Sequence, residues 1–223
     1  MTDAWKRRIM LNAFLLLICL IFALKVYDVR LTEPANIKVG LSTINCGFRE
    51  LLYYKGTRDY SKLLFAIVLI LGAVSIIAAI IWLVLFIKDW YNNRGSEGVG
   101  MDKNLMATFF LYLFTGLICL VFKGFPVNKG PVLFPGGNRT FYSFPALSPV
   151  IILIAMGSTM YHLAERFEDK KRQLRISFII CISIMVLGTL AALFSGVYWL
   201  TDIIGALLFC TAQIFLYSFF FYV

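Results

Sequence analysis

Charge is scarce in this chain. Only 15% of its 223 residues are Asp, Glu, Lys or Arg, against about 25% in a soluble domain. Apolar and aromatic residues make up 61%, and the mean hydropathy is +0.84. A globule of 25.4 kDa cannot hide that much apolar surface. The deficit excludes a soluble enzyme, a nucleic-acid module, a disordered chain and a disulfide-stapled secreted domain. The bilayer is the solvent that remains. Histidine is scarcer still, with His162 alone. Cysteines number five, but Cys19, Cys119, Cys181 and Cys210 fall inside apolar runs, where a thiol acts as a small hydrophobe. Cys46 lies in a polar connection without a loop partner, so no disulfide framework follows. No zinc spacing, internal repeat or low-complexity tract occurs, and no metal or cofactor is implied.

What is abundant is long apolar sequence. A membrane helix needs about 20 mostly apolar residues. Six runs meet or approach that length, at 9–27, 63–87, 105–122, 144–163, 176–195 and 199–223. The last two merge into one stretch too long for a single span. Ser195-Gly196 is the natural place for it to turn, since Gly accepts unusual backbone angles. The expected fold class is therefore all-α: one polytopic bundle of six transmembrane helices. The first run follows Lys6-Arg7-Arg8, as a signal peptide would. No small-x-small cleavage site follows promptly, so a retained first span is the simpler reading.

The net charge of +9 sits in clusters between the runs, where Lys and Arg meet headgroup phosphates. Membrane lipids are thus expected partners and nucleic acid is not. With six spans, eleven of the 21 Lys and Arg fall on one side. The tight cluster Arg166, Lys170, Lys171, Arg172 and Arg175 decides the orientation. It places that side, and both termini, in the cytoplasm. Two longer loops then face outward, 28–62 and 123–143. In the first, 48–54 mixes Leu51, Leu52, Tyr53 and Tyr54 with Arg49 and Glu50, as a short interfacial helix does. The second carries Pro126, Pro131 and Pro135, which argue for an irregular, shaped loop.

From Lys123 that loop reads KGFPVNKGPVLFPGGNRTFYSFPALSP, and the last spans contain AALFSGVYWLTDIIGALL from Ala191. Together these segments resemble the type 2 phosphatidic acid phosphatase (PAP2) family of membrane lipid-phosphate phosphatases. That family has six spans and three outward motifs: K-x6-R-P, P-S-G-H and S-R-x5-H-x3-D. The order and spacing correspond here, but the chemistry is missing. Lys123 holds the first motif's Lys, while its Arg is Gly130, followed by the expected Pro131. Ser143-Phe144-Pro145 looks like the family's approach to the second motif, whose Ser, Gly and His are Ala146, Leu147 and Ser148. In the third motif the Ser-Arg pair is Ala191-Ala192, the His is Tyr198, and Asp202 is retained.

The family's reaction needs an imidazole nucleophile oriented by an Asp, a second imidazole to protonate the leaving alkoxide, and cationic clamps on the phosphate. Both His positions and both Arg positions are lost here. The resemblance therefore implies a degenerate, catalytically silent relative, in which only Lys123 and Asp202 remain. His162 belongs at the inner end of the fourth span, about 25–30 Å from the motifs, and reads as an interfacial or packed residue. Tyr198 reads as belt chemistry, because a phenol with a pKa near 10 is a poor nucleophile. Asp202 reads as a cap on the last helix or as a hydrogen-bond partner. Lys123, Lys129 and Arg139 are candidates for lipid phosphate or headgroup binding. Asn138-Arg139-Thr140 is a glycosylation sequon, relevant only in a secretory-pathway membrane.

The function expected is that of a subunit, scaffold or lipid-binding partner in a membrane complex with other membrane proteins. An active lipid- or polyprenyl-phosphate phosphatase using other residues is the alternative, and a small transporter is the second. Against a transporter, no span carries a row of ionisable residues. Asn12, Thr115 and Gln213 are the polar intrusions, for which hydrogen bonds between spans are expected. The phenylalanine-rich 215–222 stretch is a candidate contact face for a partner, or else faces acyl chains. The membrane is a bacterial inner membrane or a eukaryotic secretory-pathway membrane, with the motif loops extracytoplasmic.

Overall fold

The computed structural model of the protein describes residues 3–32, 37–52, 54, 59–93, 102–132, 143–167 and 169–220. Among these residues there are seven helices and one small hairpin. Helix α1 spans Asp3–Val26. Strands β1 (Arg30–Thr32) and β2 (Ile37–Val39) pair antiparallel, Leu31 opposite Lys38. A short helix α2, Ser42–Leu51, follows. Then come α3 (Lys62–Asn93), α4 (Lys103–Gly124), α5 (Leu147–Arg166), α6 (Lys171–Phe194) and α7 (Leu200–Phe220).

All helices except α2 are long and apolar enough to cross a membrane, which makes the chain a multi-pass, all-α integral membrane protein. Successive spans run in alternate directions. The hairpin, α2 and the α6–α7 turn lie at one end, called here the hairpin end. The α3–α4 and α5–α6 connections lie at the other, basic end. Several helices outrun their apolar cores: α3 extends well beyond 63–87, and α6 begins at Lys171 rather than 176. Polar residues at those ends continue the backbone hydrogen bonding into the headgroup region. The fourth span begins later than 144, because Ser143–Ala146 stay irregular before α5.

Helices α5 and α7 form the centre. About 44% of the apolar window of each is buried, against 22% or less for the other four spans. Small residues permit that close approach. A Cβ on Gly157 would lie 2.8 Å from Ile214 of α7, and one on Gly188 of α6 would lie 2.7 Å from Ile152 of α5. Gly205 of α7 receives the ring of the fully buried Phe144 so closely that any Cβ would overlap it. Leu69, Ile70, Ile77 and Ile80 on α3, and Ile179, Val186 and Leu187 on α6, stand exposed for acyl chains.

The merged apolar stretch breaks after Phe194, and Gly196 takes φ +76°, a conformation that favours glycine. Helix α4 begins at a conventional cap: the Asp102 carboxylate accepts from the Asn104 and Leu105 amides at 2.8 and 3.3 Å.

The expectation for the intramembrane polar residues needs correcting. Asn12 is exposed on α1. Thr115 Oγ1 and Gln213 Oε1 are buried, yet neither has a hydrogen-bond partner among the described residues. Gln213 lies among apolar side chains of α4 and α7 such as Phe114 and Leu216.

Candidate functional site

The hairpin end is a layer of polar contacts laid across the bundle. It begins at Asp28, which stands in a left-handed conformation with φ 46°. The Thr43 amide donates to its Oδ2 at 2.6 Å and the Arg30 Nε–H to its Oδ1 at 2.8 Å. Asp28 thereby serves the exposed amino end of α2, whose own cap residue, Leu41, offers no side-chain acceptor. The Thr43 amide first, and then Arg30, hold the Asp28 carboxyl below its usual value of 3.8. The ionised form therefore stabilises this layer at any pH above the ordinary carboxylate range. That support is lost as pH falls through the lowered value. The protection of the Thr43 amide against hydrogen exchange, relative to the intrinsic rate at each pH, should fall below about pH 4, and Asp28→Asn should blunt that acid dependence. An unchanged acid profile in the variant would disprove the role.

Helix α2 turns its polar side inward. Ser42, Asn45 and Arg49 are buried, while Ile44 and Leu51 face outward. Asn45 Nδ2 donates to the Gly40 carbonyl at 2.8 Å and to Thr201 Oγ1 at 3.0 Å, and its Oδ1 accepts from the Thr201 amide at 3.2 Å. One carboxamide thus ties the hairpin to the start of α7. The Gly40 amide donates to Asn128 Oδ1 at 3.4 Å, which brings in the segment after α4. Arg49 donates from Nη2 to the Asp59 carbonyl at 2.7 Å, and its guanidinium lies 5.8 Å from the Trp199 ring centroid and 6.0 Å from that of Tyr54. Burial lowers its pKa below the usual guanidinium value.

Beneath this cover lie the motif positions. Ser148 and Tyr198 meet in a hydroxyl–hydroxyl hydrogen bond of 2.9 Å. Asp202 is fully buried, and its Oδ2 accepts the Trp199 amide at 3.1 Å. It sits in the first turn of α7 and reaches back to the residue before the helix, as the acidic partner of a capping box does. Of the two expected roles it takes the cap, and Tyr198 is given to Ser148. The buried side chains of Ser143 and Asn128 lie against the Asp202 carboxyl as hydrogen-bond donors. Trp199 Nε1 donates to the Lys129 carbonyl at 2.6 Å.

Lys123 and Lys129 are exposed. Arg139 and the Asn138 sequon fall outside the described residues. Gly130 and Ala192 are buried and carry no group able to hold phosphate. Asn45, Arg49, Asn128 and Ser143 were not singled out from sequence as site residues. Their one signal was the spacing of Ser42, Asn45 and Arg49, which places three polar residues on one helix face.

Neither a protein-family model nor a curated protein matches the chain. The fold does match a solved structure, the crystal structure of a transmembrane PAP2-type phosphatidylglycerolphosphate phosphatase from Bacillus subtilis. The TM-score is 0.53 at 17% identity, over 95% of this chain and 94% of that one. The chain has a PAP2-type membrane fold. At that identity the likeness concerns architecture, and the chemistry rests on the residues present.

His162 lies at the basic end, fourteen residues along α5 from Ser148. That is about 21 Å of helix rise, somewhat less than the span length alone suggested. It is buried at 2% exposure, stacks on Trp82 with centroids 4.1 Å apart, and its Nε2 lies 2.7 Å from Thr108 Oγ1. Thr108 also meets Tyr217 OH at 2.7 Å, and Trp82 Nε1 donates to Thr159 at 2.9 Å. The imidazole pins α3, α4, α5 and α7 together, far from the motif positions.

Proposed function

We propose that this protein is a catalytically silent PAP2-like membrane protein, acting as a subunit, scaffold or lipid-binding partner in a membrane assembly. The observation that carries the reading is the Ser148–Tyr198 hydrogen bond. It occupies the two positions at which the resemblance would put imidazoles. A hydroxyl bonded to a phenol has no group able to form and release a phosphoenzyme at neutral pH. Gly130 and Ala192, at the clamp positions, offer no positive charge to a developing phosphorane. Asp202 keeps a structural task without the imidazole that it would orient.

In this reading the hairpin end faces the extracytoplasmic side and the Arg166–Arg175 cluster the cytoplasm, following the basic residues of the short connections. Lys123 and Lys129 contact anionic headgroups at the outer boundary, and other membrane proteins pack on the exposed apolar helices.

The test is release of inorganic phosphate by the purified protein from a short-chain phosphatidic acid and from phosphatidylglycerolphosphate. The expected rate equals that of protein-free micelles. A turnover that survives His162→Ala but disappears with Tyr198→Phe or Asp202→Asn would refute the proposal. It would mean that other chemistry occupies the site.

A further inference from the structure

At about 100° per residue, the helix α2 carries three separate sectors. Ser42, Asn45 and Arg49 are buried against the bundle. Thr43 and Glu50 are exposed together on a second side. Ile44, Gly47, Phe48 and Leu51 form the third, at the i, i+3, i+4 and i+7 spacing of a single apolar stripe. The centres of the three sectors stand roughly 100–140° apart. Ile44 and Leu51 are more than half exposed, and a Cβ on Gly47 would meet nothing within 4 Å. A helix on a water-soluble protein needs two sectors, an apolar one toward its core and a polar one toward solvent. Here the side toward the protein is polar, and the open surface is divided into a polar part and an apolar part. Three sectors match three surroundings: protein, water and hydrocarbon.

The contacts of α2 fix its depth. At its amino end the Leu41 and Ser42 amides donate to the Tyr27 and Asp28 carbonyls, just past α1, at 3.1 and 3.0 Å. Gly40 rests on the Leu24 backbone in the last turn of α1. Midway, Asn45 bonds the Thr201 hydroxyl in the first turn of α7. Past its carboxyl end, the Tyr54 hydroxyl donates to the carbonyl of Phe194, the last residue of α6, at 3.0 Å. The end of α1, the end of α6 and the start of α7 are where three apolar spans reach the headgroups. Both ends of α2 are held at that level, so its axis runs along the boundary. The exposed apolar surface of the spans continues to the same level: Val26, Tyr27 and Leu31 are all more than half exposed.

We propose that α2 is an interfacial anchor whose stripe of Ile44, Phe48 and Leu51 is seated among the acyl chains of the leaflet at the hairpin end. An apolar helix face of this kind sinks about 5–10 Å into the boundary between headgroups and chains. The bilayer thereby holds down the polar cover over Ser148 and Tyr198. The proposal goes beyond the silent-site reading and does not depend on it.

Photo-crosslinking in native membranes tests it. The photoreactive analogue p-benzoylphenylalanine replaces Ile44, Phe48 or Leu51 in one set and Thr43 or Glu50 in the other. Phe48 is closest in shape to the analogue and serves where another variant fails to accumulate. Mass spectrometry should find lipid adducts from the stripe at least about fivefold above those from the second set. Equal lipid yields from both sets, no lipid adduct from the stripe, or adducts mainly to another protein or a second copy would overturn the anchor. Hydrogen exchange in liposomes gives a second reading. Ile44→Ser combined with Leu51→Ser should lower the protection of the α2 amides about tenfold or more. Glu50→Ser, which also exchanges a helix former for serine, should change it less than about twofold. Equal effects in the two variants, or none in either, would likewise overturn the anchor.

Discussion

Replacing Gly40 by alanine is expected to destabilise the protein by about 3 kcal/mol. Gly40 follows β2 and rests directly on the last turn of α1, where an added Cβ would overlap the Leu24 backbone oxygen, carbonyl carbon and Cα. A side chain can rotate away from such an intruder, but a helix backbone cannot. Leu24 is itself buried at 2% exposure, so α1 has no room to retreat. The displacement would also pull on both hydrogen bonds of Gly40, to Asn128 and from Asn45. Those bonds join the hairpin to α2 and to the segment after α4, so the damage spreads across the cover of the motif positions. For a chain of this length the loss corresponds to a melting shift of roughly 6–12 °C, read by size-exclusion chromatography after heating in detergent. Gly47→Ala is the control. A Cβ there meets nothing within 4 Å, and alanine favours the α2 helix by up to about 1 kcal/mol. Equal melting of Gly40→Ala and wild type would show that the hairpin does not bear on α1.

The spans were legible because the bilayer imposes one strong rule, and runs of twenty apolar residues obey it visibly. The turn at Ser195-Gly196 was legible for a similar reason, since a doubled apolar run must break and glycine permits the break. The meeting of Ser148 with Tyr198 could be anticipated from the order of the motifs, because alternating spans return both to one end. The cover over them could not. In α2 the buried residues are Ser42, Asn45 and Arg49 and the outward ones include Ile44 and Leu51, the reverse of a soluble helix. Sequence cannot tell such a stripe from a solvated face until the partners are known, and Asn45 finds its partner 156 positions away. The His162 cluster was hidden for the same reason: Trp82, Thr108, Thr159 and Tyr217 are single polar or aromatic residues on four helices. For Thr115 Oγ1 and Gln213 Oε1 the rule that buried polar groups pair within the bundle does not hold among the described residues.

Arg49→Ala should cost about 3 kcal/mol, and the order of its substitutions should reveal why. Arg49 is 7% exposed, and its guanidinium is the only cation lying over the Trp199 and Tyr54 rings among the described residues. Truncation removes three things at once. The Asp59 carbonyl loses a charge-assisted donor at 2.7 Å. Two aromatic faces lose a desolvated cation, worth about 2 kcal/mol in such a setting. The aliphatic stem leaves a void between α2 and the start of α7. Lysine keeps the charge and most of the stem, so Arg49→Lys should retain at least half of the lost stability. Methionine keeps only the stem and should fall between lysine and alanine. Because Trp199 donates to the Lys129 carbonyl and precedes the Asp202 cap, its environment should report the change. Fluorescence emission should shift to the red in Arg49→Ala and less in Arg49→Lys, in parallel with the melting temperatures. If methionine proved as stable as arginine, packing alone would account for this residue. The cationic bridge from α2 to α7 would then have no energetic role in holding the cover over Ser148 and Tyr198.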